Sequence, residues 1–219
     1  MAFVPLLLLV AAPPAVAQDA SVPWGFFNTR YDTRTSNFIY AGYGYGALFA
    51  FGGVLANPRS GYTEVLGGAG AVFTTGGLSS MVGLAAAKAP EAWYAQLYYL
   101  PTFRLGPATT RATMEWYFPL EATGVPQFSL SPMSVTVSLG GRLEGGAAVE
   151  FAAAQGMKSE VWVGPELRFG IPRATIGVDA FRAPSASEGR LRAFFNASFS
   201  SLSRRLASTS SLVSPLHSR

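Results

Sequence analysis

The chain has 219 residues, no cysteine, one histidine and a net charge of +4, with charged residues at only 13% of positions. That charge content is about half of what an ordinary soluble domain carries, and without cysteine there is no disulfide framework and no thiolate metal site. The arginines that make the chain basic are spread along it and interleaved with glutamates, which is not the clustered footprint of a nucleic-acid binder.

The first element is an apolar run from Phe3 to Val16 centred on Leu6–Val10, ending in Ala15-Val16-Ala17 before Gln18-Asp19. A small-x-small end to such a run predicts a secretory signal peptide over residues 1–17, cut after Ala17, although only the α-amine supplies positive charge ahead of it. Residues 18–35 read as an irregular N-terminal segment in which Trp24, Phe26 and Phe27 open a strand or plug one end. No later stretch offers the ~20 apolar residues of a spanning helix.

From residue 36 to 200 the pattern is strands and turns. Asn37 to Val54 is strand-like, with Phe38, Tyr40, Tyr43 and Tyr45 among glycines, and Asn57-Pro-Arg-Ser-Gly61 is a turn. Thr63–Thr75 and Leu78–Ala87 follow, parted by Gly76-Gly77. Ala92–Leu105 and Thr109–Leu120 come next, hinged at Gly106-Pro107. Gln127–Gly140 contains Pro132, which demands a bulge or an edge and across which the apolar phase slips. Arg142–Ala154, Lys158–Phe169, Arg173–Phe181 and Arg190–Ser200 complete the series. Residues 201–219 form a Ser- and Arg-rich tail with the composition of disorder. The count is about ten strands. It falls to eight if two Gly-rich segments fail, and rises to twelve if residues 24–31 form a strand and 37–54 splits in two.

These segments sort their side chains by odd and even position, the period of a strand. One phase is apolar and includes Trp93, Met114, Trp116, Phe118, Val161, Val163, Ile176, Phe195 and Phe199. The other carries Arg104, Arg111, Glu115, Arg142, Glu144, Glu150, Glu160, Glu166, Arg168, Asp179, Arg190 and Arg192. An arginine in hydrocarbon costs about 2–4 kcal/mol near the midplane, so in a membrane the apolar phase meets lipid and the charged phase lines a lumen. Trp93, Trp116 and Tyr62, near strand ends, suit an interfacial girdle. The fold predicted is an all-β, antiparallel, up-and-down transmembrane barrel.

With an export signal, amphipathic strands, aromatic strand ends and tight Gly/Pro turns, the chain resembles small Gram-negative outer-membrane β-barrel proteins, at the level of the class. The resemblance implies residence in the outer membrane, contact with its lipid and with the barrel assembly machinery, and no cofactor. One departure is that the terminal aromatic segment, Ala193–Phe199, lies about twenty residues before the end.

Three functions fit these residues. The first is a structural or interaction barrel whose balanced lumen charges pair with one another. The second is a small diffusion channel for polar or weakly acidic solutes, steered by lumen arginines. The third is a secreted soluble barrel or sandwich with the apolar phase turned inward around a lipid. Enzymatic chemistry is not expected, because the single histidine, His217, sits in the tail and leaves no base beside a nucleophile. No residue is predicted to be catalytic, metal-binding or cofactor-binding.

Overall fold

A computed structural model of the chain describes residues 23–156, 159–183 and 189–199, and shows a closed barrel of twelve antiparallel strands. The strands are β1 (Pro23–Asp32), β2 (Asn37–Tyr45), β3 (Leu48–Asn57), β4 (Tyr62–Thr75), β5 (Leu78–Lys88), β6 (Trp93–Leu105), β7 (Ala108–Pro119), β8 (Gln127–Gly140), β9 (Leu143–Ala154), β10 (Glu160–Ile171), β11 (Ala174–Arg182) and β12 (Gly189–Ser198). Each pairs with its neighbours in sequence, and β1 closes on β12 from Phe26 opposite Ser198 to Asp32 opposite Arg192.

Twelve strands replace the expected ten for two local reasons. The segment read as irregular over 18–35 contains β1, so the barrel begins at Pro23 rather than 36. Its alternation is masked because Trp24 and Phe26 share the inner phase with Asn28, Arg30 and Asp32. The run Asn37–Val54 is two strands, parted at Gly46-Ala47, where Gly46 has a φ of 57°. The predicted signal peptide and tail lie outside the described residues. So does Ser200 of the predicted last strand; Phe199 follows β12 directly and donates its backbone N–H to the Gly25 carbonyl at 2.9 Å.

The barrel has two different ends. Five connections, at 46–47, 76–77, 106–107, 141–142 and 172–173, are two residues long and share one end, where the chain also enters β1 and leaves β12. Gly76 and Gly106 open two of them with φ of 54° and 57°, a conformation that a tight hairpin needs and that glycine adopts without strain. The six connections at the other end run from four to seven residues. These are called the turn end and the loop end below.

The outer face is an apolar belt. Among the described strand residues the only charges pointing outward are Lys88 and Arg182, the last residues of β5 and β11, both at the loop end. Leu84, Phe103, Val137, Val163, Phe169, Val178 and Leu191 are all exposed on this face. A soluble barrel would turn such residues inward around its core, so the reading as a soluble lipid carrier is excluded by their direction. The predicted bulge is present: β8 shifts register between Leu130 and Met133, across Pro132, against both β7 and β9.

Candidate functional site: the barrel lumen

The lumen has two unlike walls. Over β1–β6 it is lined largely by aromatic residues. Rings step up the wall from Trp24 to Phe49 (5.8 Å between centroids), Phe49 to Phe51 (5.7 Å) and Phe51 to Tyr98 (5.6 Å), with Phe26 5.9 Å from Phe49. Several rings lie flat over a glycine on the adjacent strand: Phe26 over Gly42, Trp24 over Gly44, Tyr40 over Gly53 and, on the far side, Phe194 over Gly177. The missing Cβ lets the ring lie along the wall instead of pointing at the barrel axis.

Over β7–β12, joined by the end of β1, the wall is ionic. In its loop half Arg192 meets Asp179 (Nη2–Oδ2, 2.6 Å) and Glu150 (2.7 Å), while Arg190 meets Glu150 (2.9 Å) and Asp32 (3.2 Å). Both arginines also stack on Phe181, at 4.7 and 4.6 Å, and Arg190 on Trp162 at 4.9 Å. Planar guanidinium groups accept this double role of ion pair and ring contact, which a lysine would not. Nearer the turn end Arg111 donates to Glu144 at 2.8 Å and to Thr136 at 2.8 Å, and Arg168 pairs with Glu166 and lies over Phe194.

One contact spans the lumen. Arg30 of β1 donates from Nη1 to the Ser131 hydroxyl of β8 at 2.9 Å, and its guanidinium lies 4.5 Å over Phe38. β8 is five strands from β1 in a ring of twelve, so these side chains meet from almost opposite walls.

Of the residues assigned to the lumen from sequence, Arg111, Glu150, Glu166, Arg168, Asp179, Arg190 and Arg192 join these ion pairs, with Glu144. Arg104 faces inward near the turn end, opposite Thr109. Glu115 faces inward but meets Ser129 at 3.0 Å and the Tyr117 hydroxyl at 3.2 Å rather than an arginine. Glu160 is at the exposed start of β10, where its carboxylate accepts from the Trp162 indole at 3.3 Å. Arg142 is a correction. It occupies the exposed turn between β8 and β9 and is not in the network; the even-odd phase continues through it, but the strands stop on either side. Tyr62 is another, for it faces the lumen and donates to Glu64 at 2.7 Å rather than standing in a girdle. The residues assigned to lipid, Trp93, Met114, Trp116, Phe118, Val161, Val163, Ile176, Phe195 and Phe199, sit on the outer phase of their strands or, for Phe199, just past it. Sequence reasoning missed Arg30, Asp32 and Glu64 because they belong to strands with few charges, whose inner phase mixes them with aromatic residues in β1 and with small and aliphatic residues in β4.

Among solved structures the chain is similar to the KdgM porin, at a TM-score of 0.57 and 9% identity, covering 80% of this chain and 99% of that one. It is also similar to the NanC porin, at a TM-score of 0.55 and 8% identity, covering 79% and 98%. No family model matches the chain, and no curated protein matches it. At these identities the likeness is one of fold: a closed, porin-like antiparallel β-barrel.

Proposed function

We propose that this chain is an outer-membrane β-barrel whose lumen is closed by its own side chains, so that it conducts little or nothing at rest and offers its loop end for contact. Short turns face the periplasm and longer loops the exterior in barrels of this class, which sets the turn end inward and the loop end outward. The observation that carries the reading is the burial of the lumen charges. Arg190, Arg192, Glu166 and Asp179 are each no more than 2% exposed. A continuous water path along the ionic wall would leave them wet. The Arg30–Ser131 contact closes the same cross-section from the other side. Ion pairs in such a space hold one another in place and oppose the entry of a free ion, which must be desolvated where the charges of the wall are already paired.

A second reading is a narrow diffusion channel. It is favoured by the strand number, since barrels above eight strands have room for a lumen, and by the fold shared with two porins. Planar-bilayer recording separates the two. The closed barrel gives rare or no openings, with conductance far below that of a general porin. Steady conduction with anion preference from the unaltered protein means that the channel reading is right and that the arginines select the solute.

A further inference from the structure

The loop-end mouth of the lumen differs from the rest of it. Every acidic residue of the ionic wall from Asp32 to Asp179, apart from Glu115 and Glu160, pairs with an arginine. Around β4, β6 and β7 the pattern changes, and carboxylates pair with tyrosines. The Tyr62 hydroxyl donates to Glu64 at 2.7 Å, the Tyr94 hydroxyl to Glu91 at 3.3 Å, and the Tyr117 hydroxyl to Glu115 at 3.2 Å. Gln96 donates a second hydrogen bond to Glu64, at 2.6 Å. Among the described residues no arginine or lysine lies within 4.0 Å of any of these three glutamates. Arg30 is near enough for its field to reach Glu115, but its guanidinium is held by Ser131 and by the Ser36 carbonyl. Three carboxylates thus lie on this side of the lumen without an arginine or lysine ion pair among the described residues, while Arg34 and Arg59 sit in the loops at the same end.

The same place holds a cavity of about 290 Å³, bounded by Asn57, Tyr62 and Glu64 on one side and Tyr117 and Gln127 on the other. Its size is at the lower end of small-molecule pockets. Its walls combine an anionic group, amides and two aromatic rings, and it opens toward the loops. Aromatic faces beside a carboxylate suit an organic ammonium ion. The rings attract the spread positive charge, and the carboxylate supplies a counter-charge. A small inorganic cation fits less well. It needs several free oxygen ligands at short range, and here the glutamate oxygens already accept from tyrosine and glutamine.

We infer that the loop-end vestibule formed by Tyr62, Glu64 and Tyr117 is a binding site for a small organic ammonium solute. This rests on the lumen geometry at the mouth and not on whether the deeper lumen conducts, so it stands or falls separately from the closed-barrel reading.

The test is isothermal titration of the detergent-folded full barrel with choline as the probe, with 3,3-dimethylbutanol as its uncharged isostere and calcium chloride as the inorganic alternative. Choline should bind with a stoichiometry near one and at least tenfold more tightly than the isostere. Glu64→Gln should weaken choline about tenfold, while Gly67→Ala, on the outer face of the same strand, should leave it unchanged. Heat-modifiable gel mobility checks that each variant is folded. If Glu64→Gln does not fold, Tyr117→Phe replaces it; it keeps the ring, removes a hydroxyl and should alter choline affinity without abolishing it. Equal binding of choline and the isostere, calcium binding without choline binding, or no choline binding by the folded protein would each overturn the inference.

Discussion

At the scale of single residues the lumen is shaped by glycines as much as by charges. Gly53 and Gly177 lie directly beneath the rings of Tyr40 and Phe194 on the adjacent strands. A Cβ built at either position lies 1.9 Å from a ring atom, and at Gly53 also 2.6 Å from the Ile39 carbonyl oxygen, so the aromatic side chain must leave the wall and, at Gly53, the backbone must shift as well. Forcing a side chain off its site in a packed interior costs about 1–3 kcal/mol. Gly67 is the control, because it faces outward and a Cβ there meets nothing nearer than a backbone oxygen at 3.8 Å. Gly53→Ala and Gly177→Ala should therefore lower the urea midpoint of refolding in detergent, and Gly67→Ala should leave it level or raise it slightly. Equal effects at all three would mean that backbone freedom, not ring packing, explains these glycines. The sequence shows the glycines plainly but not their purpose. Each partner ring is on another strand, and only the register brings Gly177 beneath Phe194.

At the scale of the strand, what could be read from sequence depended on contrast between the two phases. From β6 to β12 one phase is apolar and the other ionic, and strand limits and facing follow from the alternation alone; β7, read as Thr109–Leu120, spans Ala108–Pro119. In β2 and β3 the inner phase is mostly aromatic or glycine, so both phases look apolar, and in β1 it runs from Trp24 and Phe26 to Asn28, Arg30 and Asp32, so alternation carries no clear signal. That is why β1 read as irregular and β2 and β3 as one strand, and why Arg30 and Asp32 were not placed in the lumen. The turn end was legible through Gly76-Gly77 and Gly106-Pro107. Arg142 misled because strand parity says nothing about where pairing stops. Neighbours on β7 test the facing directly. Met114 is mid-strand on the outer phase opposite Leu130, and Thr113 is on the inner phase beside Arg111 and Glu115. Met114→Arg should cost about 2–4 kcal/mol and obstruct insertion into lipid vesicles, while Thr113→Arg should still fold. The measurement is the folded fraction by heat-modifiable mobility after dilution from urea into liposomes. Similar losses for both substitutions would show that β7 does not divide lipid from lumen.

At the scale of the whole barrel the question is how closure and stability divide among the side chains: the buried ion pairs serve both, while the cross-lumen Arg30 contact serves closure. Arg192 is buried with Asp179 on the neighbouring β11 and with Glu150 on β9, three strands away along the ionic wall. Removing it leaves Asp179 buried without its arginine, the kind of loss that costs about 3–5 kcal/mol. Arg30 is placed differently. Its contacts are with neutral groups, the Ser131 hydroxyl, the Ser36 carbonyl and the Phe38 ring, and among the described residues it forms no ion pair within 4.0 Å, so its removal breaks no direct pair, although its field reaches Glu150 and Glu115. Yet it is Arg30 that reaches the far wall. The expected outcome is a dissociation of two readouts. Arg192→Ala should lower thermal stability in detergent by several degrees with a modest effect on current, because the Arg30 contact still bridges the lumen. Arg30→Ala should melt close to the parent and raise single-channel conductance in planar bilayers. It should also raise the cation preference of that current, since it removes a lumen arginine whose field reaches Glu115. If Arg30→Ala stays silent in bilayers while Arg192→Ala conducts, the salt-bridged wall, not the cross-lumen contact, is what seals the barrel.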